Sequence, residues 1–158
     1  MLQNKKEIIS KLSPSKLHNL LGEITSLLLL SKVHRKYQVR EIADVILPTI
    51  NLNQFRIYRD KNKQPIGLVT WGYFNEATER EYLSGKSVLS EKELTSGDIL
   101  YFLDFIAPYG HAKKIIKDLR ENVFPTSEAK SLHFLEQGIR RNKVKKFHGI
   151  NFKKPTLH

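Results

Sequence analysis

Leucine and isoleucine recur at helical spacing through Leu17, Leu20, Leu21, Ile24, Leu27 and Leu28. Ser13 followed by Pro14 supplies an N-cap and a first-turn proline, so the pattern predicts a helix over roughly 14–30. Ser31-Lys32-Val33-His34-Arg35 interrupts the stripe. Ile42, Val45 and Ile46 then mark a second, shorter helix that Pro48 should terminate, because proline lacks an N–H and crowds the preceding turn. His34 falls in the connection between these helices or at the start of the second.

Phe55 to Tyr58 and Pro65 to Tyr73 are rich in aromatic and β-branched residues and flank the polar turn Asp60-Lys61-Asn62-Lys63, which predicts an antiparallel hairpin. Glu76 to Leu83 is assigned a further helix. After the turn residues Gly97-Asp98 comes Ile99-Leu100-Tyr101-Phe102-Leu103-Asp104-Phe105-Ile106-Ala107, the pattern of a central strand buried on both faces. Pro108-Tyr109-Gly110 closes it. Ala112, Ile115, Ile116, Leu119 and Val123 give the apolar face of a helix whose opposite face carries Lys113, Lys117 and Arg120. Short apolar segments at 131–136 and 144–150 are expected as closing strands. The order implies an α/β or α+β domain with helices packed on one mixed sheet. Its 158 residues fit one domain, with 1–12 and 151–158 expected as flexible ends.

Composition narrows the chemistry. The chain has no cysteine, which removes disulfides, zinc-thiolate sites and any thiol nucleophile. The longest purely aliphatic run, Leu27 to Leu30, is too short to cross a bilayer, and the amino terminus has no signal-peptide apolar region. A cytoplasmic protein without a transmembrane segment is therefore expected. The formal charge is +11, and self-repulsion of that size points to an anionic partner or to a solvated basic face. Basic residues concentrate late, at Lys113, Lys114, Lys117 and Arg120, at Arg140, Arg141, Lys143, Lys145 and Lys146, and at Lys153 and Lys154.

Asp104 stands out within the apolar strand, because a buried carboxylate without partners costs several kcal/mol. It either caps a nearby backbone group or orients and charges a histidine. Six histidines are present, at 18, 34, 111, 133, 148 and 158, and none has metal-ligand spacing. No metal is expected, and composition alone does not choose among the histidines.

The segment Leu21-Gly22 … Ser31-Lys32-Val33-His34-Arg35 … Val39 … Leu47-Pro48-Thr49-Ile50 … Asn53-Gln54 resembles the amino-terminal half of the RTX toxin-activating lysine acyltransferases, the hemolysin-activating family. Asp60 … Pro65 … Trp71, Glu81-Tyr82-Leu83 and Thr95-Ser96-Gly97-Asp98 follow the family's order. Phe102-Leu103-Asp104-Phe105-Ile106-Ala107-Pro108-Tyr109-Gly110 and the late Phe147-His148-Gly149 continue it. The resemblance covers about residues 20 to 150. It implies a GNAT-like fold and catalytic roles for His34 and Asp104, with Ser31 in support. It also implies an acyl donor carried on acyl carrier protein, no permanently bound cofactor, and internal lysines of an RTX protoxin as acceptors. A homodimer is left open. Leu27-Leu28-Leu29-Leu30 replaces a Trp-rich stretch of the family, so the acyl-chain site and dimer contacts are where this chain is expected to differ.

The implied reaction needs a base, because presenting a free lysine amine at pH 7 costs about 4.6 kcal/mol when its pKa is near 10.4. A neutral imidazole supplies one, and an aspartate on its other nitrogen stabilises the imidazolium. Direct transfer and an acyl-enzyme on Ser31 or His34 both remain open. Lys113, Lys117 and Arg120 suit docking of an acidic carrier protein. The glycine-poor Ala107-Pro108-Tyr109-Gly110-His111-Ala112 suits a coenzyme A pyrophosphate less well. Two other readings compete: a coenzyme A-dependent N-acyltransferase, and a basic nucleic-acid-binding module. The second lacks any recognisable nucleic-acid-binding motif, so no nucleic-acid partner is expected.

Overall fold

The computed structural model describes residues 12–132 and 143–155. Arg140 and Arg141, most of the expected flexible ends, and the part of the expected strand 131–136 beyond Leu132 lie outside those residues. Helix α1 spans Pro14–Leu30, with the Ser13 side chain accepting the Lys16 N–H at 3.4 Å. Its stripe buries Leu20, Ile24, Leu27 and Leu28, while Leu29 and Leu30 remain exposed. The Ser31 N–H closes the helix on the Leu27 and Leu28 carbonyls, and a 3-10 turn follows at His34–Lys36.

The second helix, α2, does not end at Pro48. It runs as an α turn at Val39–Glu41, a π turn at Ile42–Ile46 and a further α segment at Leu47–Asn51. The Leu47 N–H reaches back to Ile42 O, so the turn before Pro48 is wide enough to receive the ring. Near the helix end, the Thr49 hydroxyl bonds Ile46 O at 2.7 Å and the Leu52 N–H bonds Pro48 O at 3.1 Å. The expectation failed because a π turn relieves the clash that makes proline a helix breaker.

Five strands form one sheet in the order β1-β2-β3-β4-β5. β1 (Phe55–Arg59) and β2 (Pro65–Phe74) are the expected hairpin, and β3 (Ile99–Ile106) is the central strand. β4 (Glu128–Leu132) lies parallel to β3, and β5 (Val144–His148) lies antiparallel to β4. β4 starts three residues before its expected position, because Glu128 and Lys130 give it a polar face that hides it from a hydrophobicity reading. Helix α3 (Glu76–Ser84) follows β2, capped by the Asn75 side chain on the Thr78 N–H at 2.8 Å. Helix α4 (Ala112–Asp118) continues as a π turn through Leu119–Val123.

Helices cover both faces of this mixed sheet, as expected for a GNAT-like α/β arrangement. Leu68 and Ile106 pack with Ile24, Leu27, Leu28 and Ile46 under α1 and α2. Trp71, Leu100 and Phe102 pack on the other face with Ile115, Leu119 and Phe124 of the α4 region. A third cluster joins Phe74 and Tyr101 to Tyr82 of α3. Arg59 holds Glu23 of α1 with two bonds of 2.7 Å, and Tyr58 donates to Asp118 of α4 at 2.8 Å. The register of β2 on β3 slips between Thr70 and Trp71, so Thr70 faces Asp104 but Trp71 faces Phe102. Leu103 is the extra residue of a bulge. Through it Asp104 joins the α1 side while Phe102 stays on the α4 side.

Gly97 lies where a Cβ would come within 2.5 Å of the Phe74 carbonyl oxygen and 2.7 Å of Asn75 Cα, both backbone. Gly97→Ala is expected to destabilise by about 1–3 kcal/mol, the range for forcing atoms into a packed site. Gly22, inside α1 with open space at its Cβ position, is the control. Gly22→Ala should stabilise by about 0.5–1 kcal/mol. Urea unfolding of both variants checks the pair.

Candidate functional site

The end of α1 builds one wall of the site. Where the helix stops, the Ser31 side chain turns back over the following 3-10 turn and accepts the His34 backbone N–H at 3.3 Å. The same oxygen lies 2.7 Å from His34 Nδ1. The turn thus fixes the imidazole between Ser31 and the sheet, with only 12% of the side chain exposed. The other wall is β3, where Asp104 is 2% exposed and its Oδ1 lies 3.3 Å from His34 Nε2. Two expected catalytic side chains seventy residues apart in sequence, together with Ser31, meet in one place.

Two further groups that the sequence reading missed complete the carboxylate's surroundings. The Thr70 hydroxyl donates to Asp104 Oδ2 at 2.7 Å and accepts the Asp104 backbone N–H at 3.1 Å. The Tyr37 hydroxyl donates to Oδ1 at 3.1 Å, and its ring meets the His34 ring edge-on at 5.2 Å. Thr70 carried a signal, being the one hydroxyl in the apolar run Leu68-Val69-Thr70-Trp71. Tyr37 carried none, since nothing in its local pattern says that the turn folds it under the histidine.

The protonation pattern follows from donor and acceptor roles. A carboxylate can only accept, so the tautomer with its hydrogen on His34 Nε2 directs that hydrogen toward Asp104 and leaves the Nδ1 lone pair for the Ser31 hydroxyl. Burial raises the Tyr37 phenol far above its ordinary value, and the charge and hydrogen bond of Asp104 add to the shift. Tyr37 therefore remains a proton donor to the carboxylate throughout the working range. The arrangement has a basic nitrogen held ready at Nδ1 and a buried anion behind the ring, which is the equipment of a general base.

The expected docking residues lie elsewhere. Lys113, Lys117 and Arg120 are exposed on α4, across the sheet from His34, and Arg120 Nε also donates to the His148 carbonyl at 2.8 Å. On that face Phe102, Phe105, Ile116, Leu119, Phe124 and Phe147 line an apolar pocket. β3 pairs with β4 only from Leu100 to Phe102. Beyond Phe102, among the described residues, no strand pairs with β3 on its β4 side. His148 pairs with Glu128 at 2.9 Å and stacks on Phe152, and His18 is exposed. His133 and His158 lie outside the described residues. Among those residues no three histidines or carboxylates are grouped to hold a metal, and no helix is long and apolar enough to cross a membrane.

Comparison with known proteins meets this geometry from the other direction. The chain is 35% identical over 115 residues to the lysine-acyltransferase RtxC of Vibrio cholerae, covering 73% of this chain and 75% of that protein. It is 33% identical over 138 residues to the leukotoxin-activating lysine-acyltransferase LktC of a Pasteurella haemolytica-like species, covering 87% and 82%. A protein of Synechocystis with no assigned activity is 43% identical over 120 residues, covering 75% and 82%. A family model described as the RTX toxin acyltransferase family matches residues 13–148. With that match spanning both walls of the Ser31, His34 and Asp104 cluster, this chain belongs to the RTX toxin acyltransferase family.

Proposed function

We propose that this chain transfers a fatty acyl group from acyl carrier protein to internal lysine side chains of an RTX protoxin, in the cytoplasm, and so activates the toxin. The observation that carries the mechanism is the line from Ser31 Oγ through His34 Nδ1 and Nε2 to Asp104 Oδ1, at 2.7 and 3.3 Å. An acceptor lysine enters as the ammonium and releases one proton to solvent. As its nitrogen bonds to the thioester carbon, the second proton it sheds passes to His34 Nδ1, directly or through the Ser31 hydroxyl. The C–S bond then breaks and the imidazolium returns that proton to the departing thiolate. Asp104 stabilises the transient imidazolium, and Thr70 and Tyr37 hold the carboxylate at the angle the ring requires.

A second reading is favoured by the 2.7 Å contact itself. In it Ser31, with His34 taking its proton, acts as a nucleophile that carries the acyl group before lysine attacks, a role supported by the 2.7 Å separation. Cysteine chemistry is excluded by composition.

The α4 face supports a donor role. Lys113, Lys117 and Arg120 give an acidic carrier protein an electrostatic landing site. The length of β3 beyond Phe102, unpaired on its β4 side among the described residues, would give its thioester arm a way past the sheet toward Asp104. Coenzyme A is disfavoured as donor because Pro108 removes a backbone N–H from the loop where a pyrophosphate would sit. Donor competition between acyl carrier protein and acyl coenzyme A separates the two.

His34→Ala and Asp104→Asn are each expected to lower kcat by about 10²–10⁴ in lysine acylation, the usual range for general-base assistance. Ser31→Ala separates the two readings. A loss of tenfold or so, with no covalent adduct by rapid-quench mass spectrometry, supports the relay. A loss equal to that of His34→Ala, with an acyl-serine trapped in the wild type, supports the nucleophile.

Tyr37→Phe keeps the ring against His34 and removes one donor from Asp104. It should cost kcat about fivefold, equivalent to a hydrogen bond of about 1 kcal/mol.

Reversing Lys113, Lys117 and Arg120 to glutamate should raise KM for acyl carrier protein at least tenfold at low salt and flatten its salt dependence. An unchanged KM would remove α4 as the landing site.

A further inference from the structure

One charged surface has no part in the mechanism so far. Lys32, Arg35, Lys36 and Arg40 surround His34 in sequence and are all exposed. None of the four forms a side-chain ion pair or hydrogen bond among the described residues. Some cations elsewhere in the fold are matched, Arg59 by Glu23, Lys86 by Glu81 and Glu93, Lys130 by Glu79 and Lys146 by Glu128, while others, such as Lys113 and Lys117, share this lack of a partner among the described residues. Glu41, the lone carboxylate between residues 31 and 41, is engaged by the Gln38 backbone N–H at 2.6 Å. Among the cations Leu30, Val33 and Val39 are 51, 50 and 85% exposed. The turn that carries His34 therefore displays exposed positive charge, unmatched among the described residues, interleaved with bare apolar groups.

We propose that this rim is the acceptor-docking surface and that it selects lysines lying in an acidic stretch of the target protein. The inference rests on the lysine-acylation reading and specifies its acceptor. Reach decides between the two macromolecules that must approach. A lysine side chain has a four-carbon stem, so for its amine to meet His34 its own backbone must pass directly over the rim. A carrier protein presents its thioester on a phosphopantetheine arm several times longer, and its body docks at a distance. The residues adjoining His34 are thus within contact range of the acceptor's neighbours.

Charge then sets the preference. An acceptor whose lysine is flanked by further cations is repelled by these four positive groups, whereas flanking carboxylates attract them. The same field favours the neutral form of the incoming amine, since like charge disfavours an ammonium. The rim serves twice, in holding acidic flanks and in easing deprotonation of the lysine between them. Val33 and Val39 add apolar contact for a residue beside the carboxylates.

The test uses the intact protein, acyl carrier protein as donor, and three synthetic peptides with one central lysine flanked by glutamate, glutamine or arginine. Fluorescence anisotropy reads docking without turnover, and mass spectrometry reads acylation. The glutamate peptide is expected to bind about tenfold tighter than the glutamine peptide at low salt, with the arginine peptide weakest and the spread shrinking as salt rises. Replacing Lys32, Arg35, Lys36 and Arg40 together by glutamate should reverse the order and leave KM for the donor unchanged. The Arg35→Glu, Lys36→Glu double variant, checked by circular dichroism, provides the same comparison with less disturbance. Equal binding of the three peptides to the wild type overturns the proposal. So does a charge reversal that raises KM for the donor alone, which would assign the rim to acyl carrier protein. Retained glutamate preference in binding with no acylation of any peptide would count against the lysine-acylation reading and support the docking surface.

Discussion

The carboxylate of Asp104, almost wholly withdrawn from water, imposes conditions that much of the surrounding structure meets. Leaving such a charge without partners costs several kcal/mol, while each hydrogen bond to an ionised group returns about 1.5–3 kcal/mol. Thr70 and Tyr37 supply such bonds from a neighbouring strand and from the turn after α1, and His34 Nε2 stands 3.3 Å from Oδ1. Removing one partner disturbs more than one contact. The anion is at once the anchor of the α1–α2 connection on the sheet and the charge behind the imidazole.

That dual use explains two departures from regular geometry close by. The bulge at Leu103 turns Asp104 toward α1, where a regular strand would have set it on the same face as Phe102. The π turn at Ile42–Ile46 carries α2 through Pro48, so that Ile46 and Ile50 still reach the core shared with α1 and Ile106. Irregular backbone of this kind recurs near functional sites because regular spacing alone seldom aims a side chain where chemistry needs it.

The sheet also divides the molecule. His34 and its neighbouring cations lie on the α1 side, whereas the exposed basic face of α4 and the apolar pocket lie on the other. A two-substrate transfer is served by such a division, because donor and acceptor then need not compete for one surface. The large net charge is consequently displayed on both sides of the sheet, a distribution that composition alone could not show.

Sequence by itself determined the elements whose signal is local. Ser13-Pro14 and the leucine stripe specify α1, the Asp60–Lys63 turn specifies the hairpin, and the apolar run around Asp104 specifies β3. Family resemblance selected Ser31, His34 and Asp104 from among many hydroxyls, histidines and carboxylates. The beginning of β4, the passage of α2 through Pro48, the bulge beside Asp104, and the presence of Tyr37 and Thr70 in the site were decided only by tertiary structure. Each depends on a partner distant in sequence: β4 is polar until β3 and β5 pair with it, and Tyr37 is an ordinary turn residue until the helix-to-sheet packing brings Asp104 beneath it. Periodicity records which face of an element is buried. It does not record which two buried faces will meet, and a site made by that meeting is written only in the folded chain.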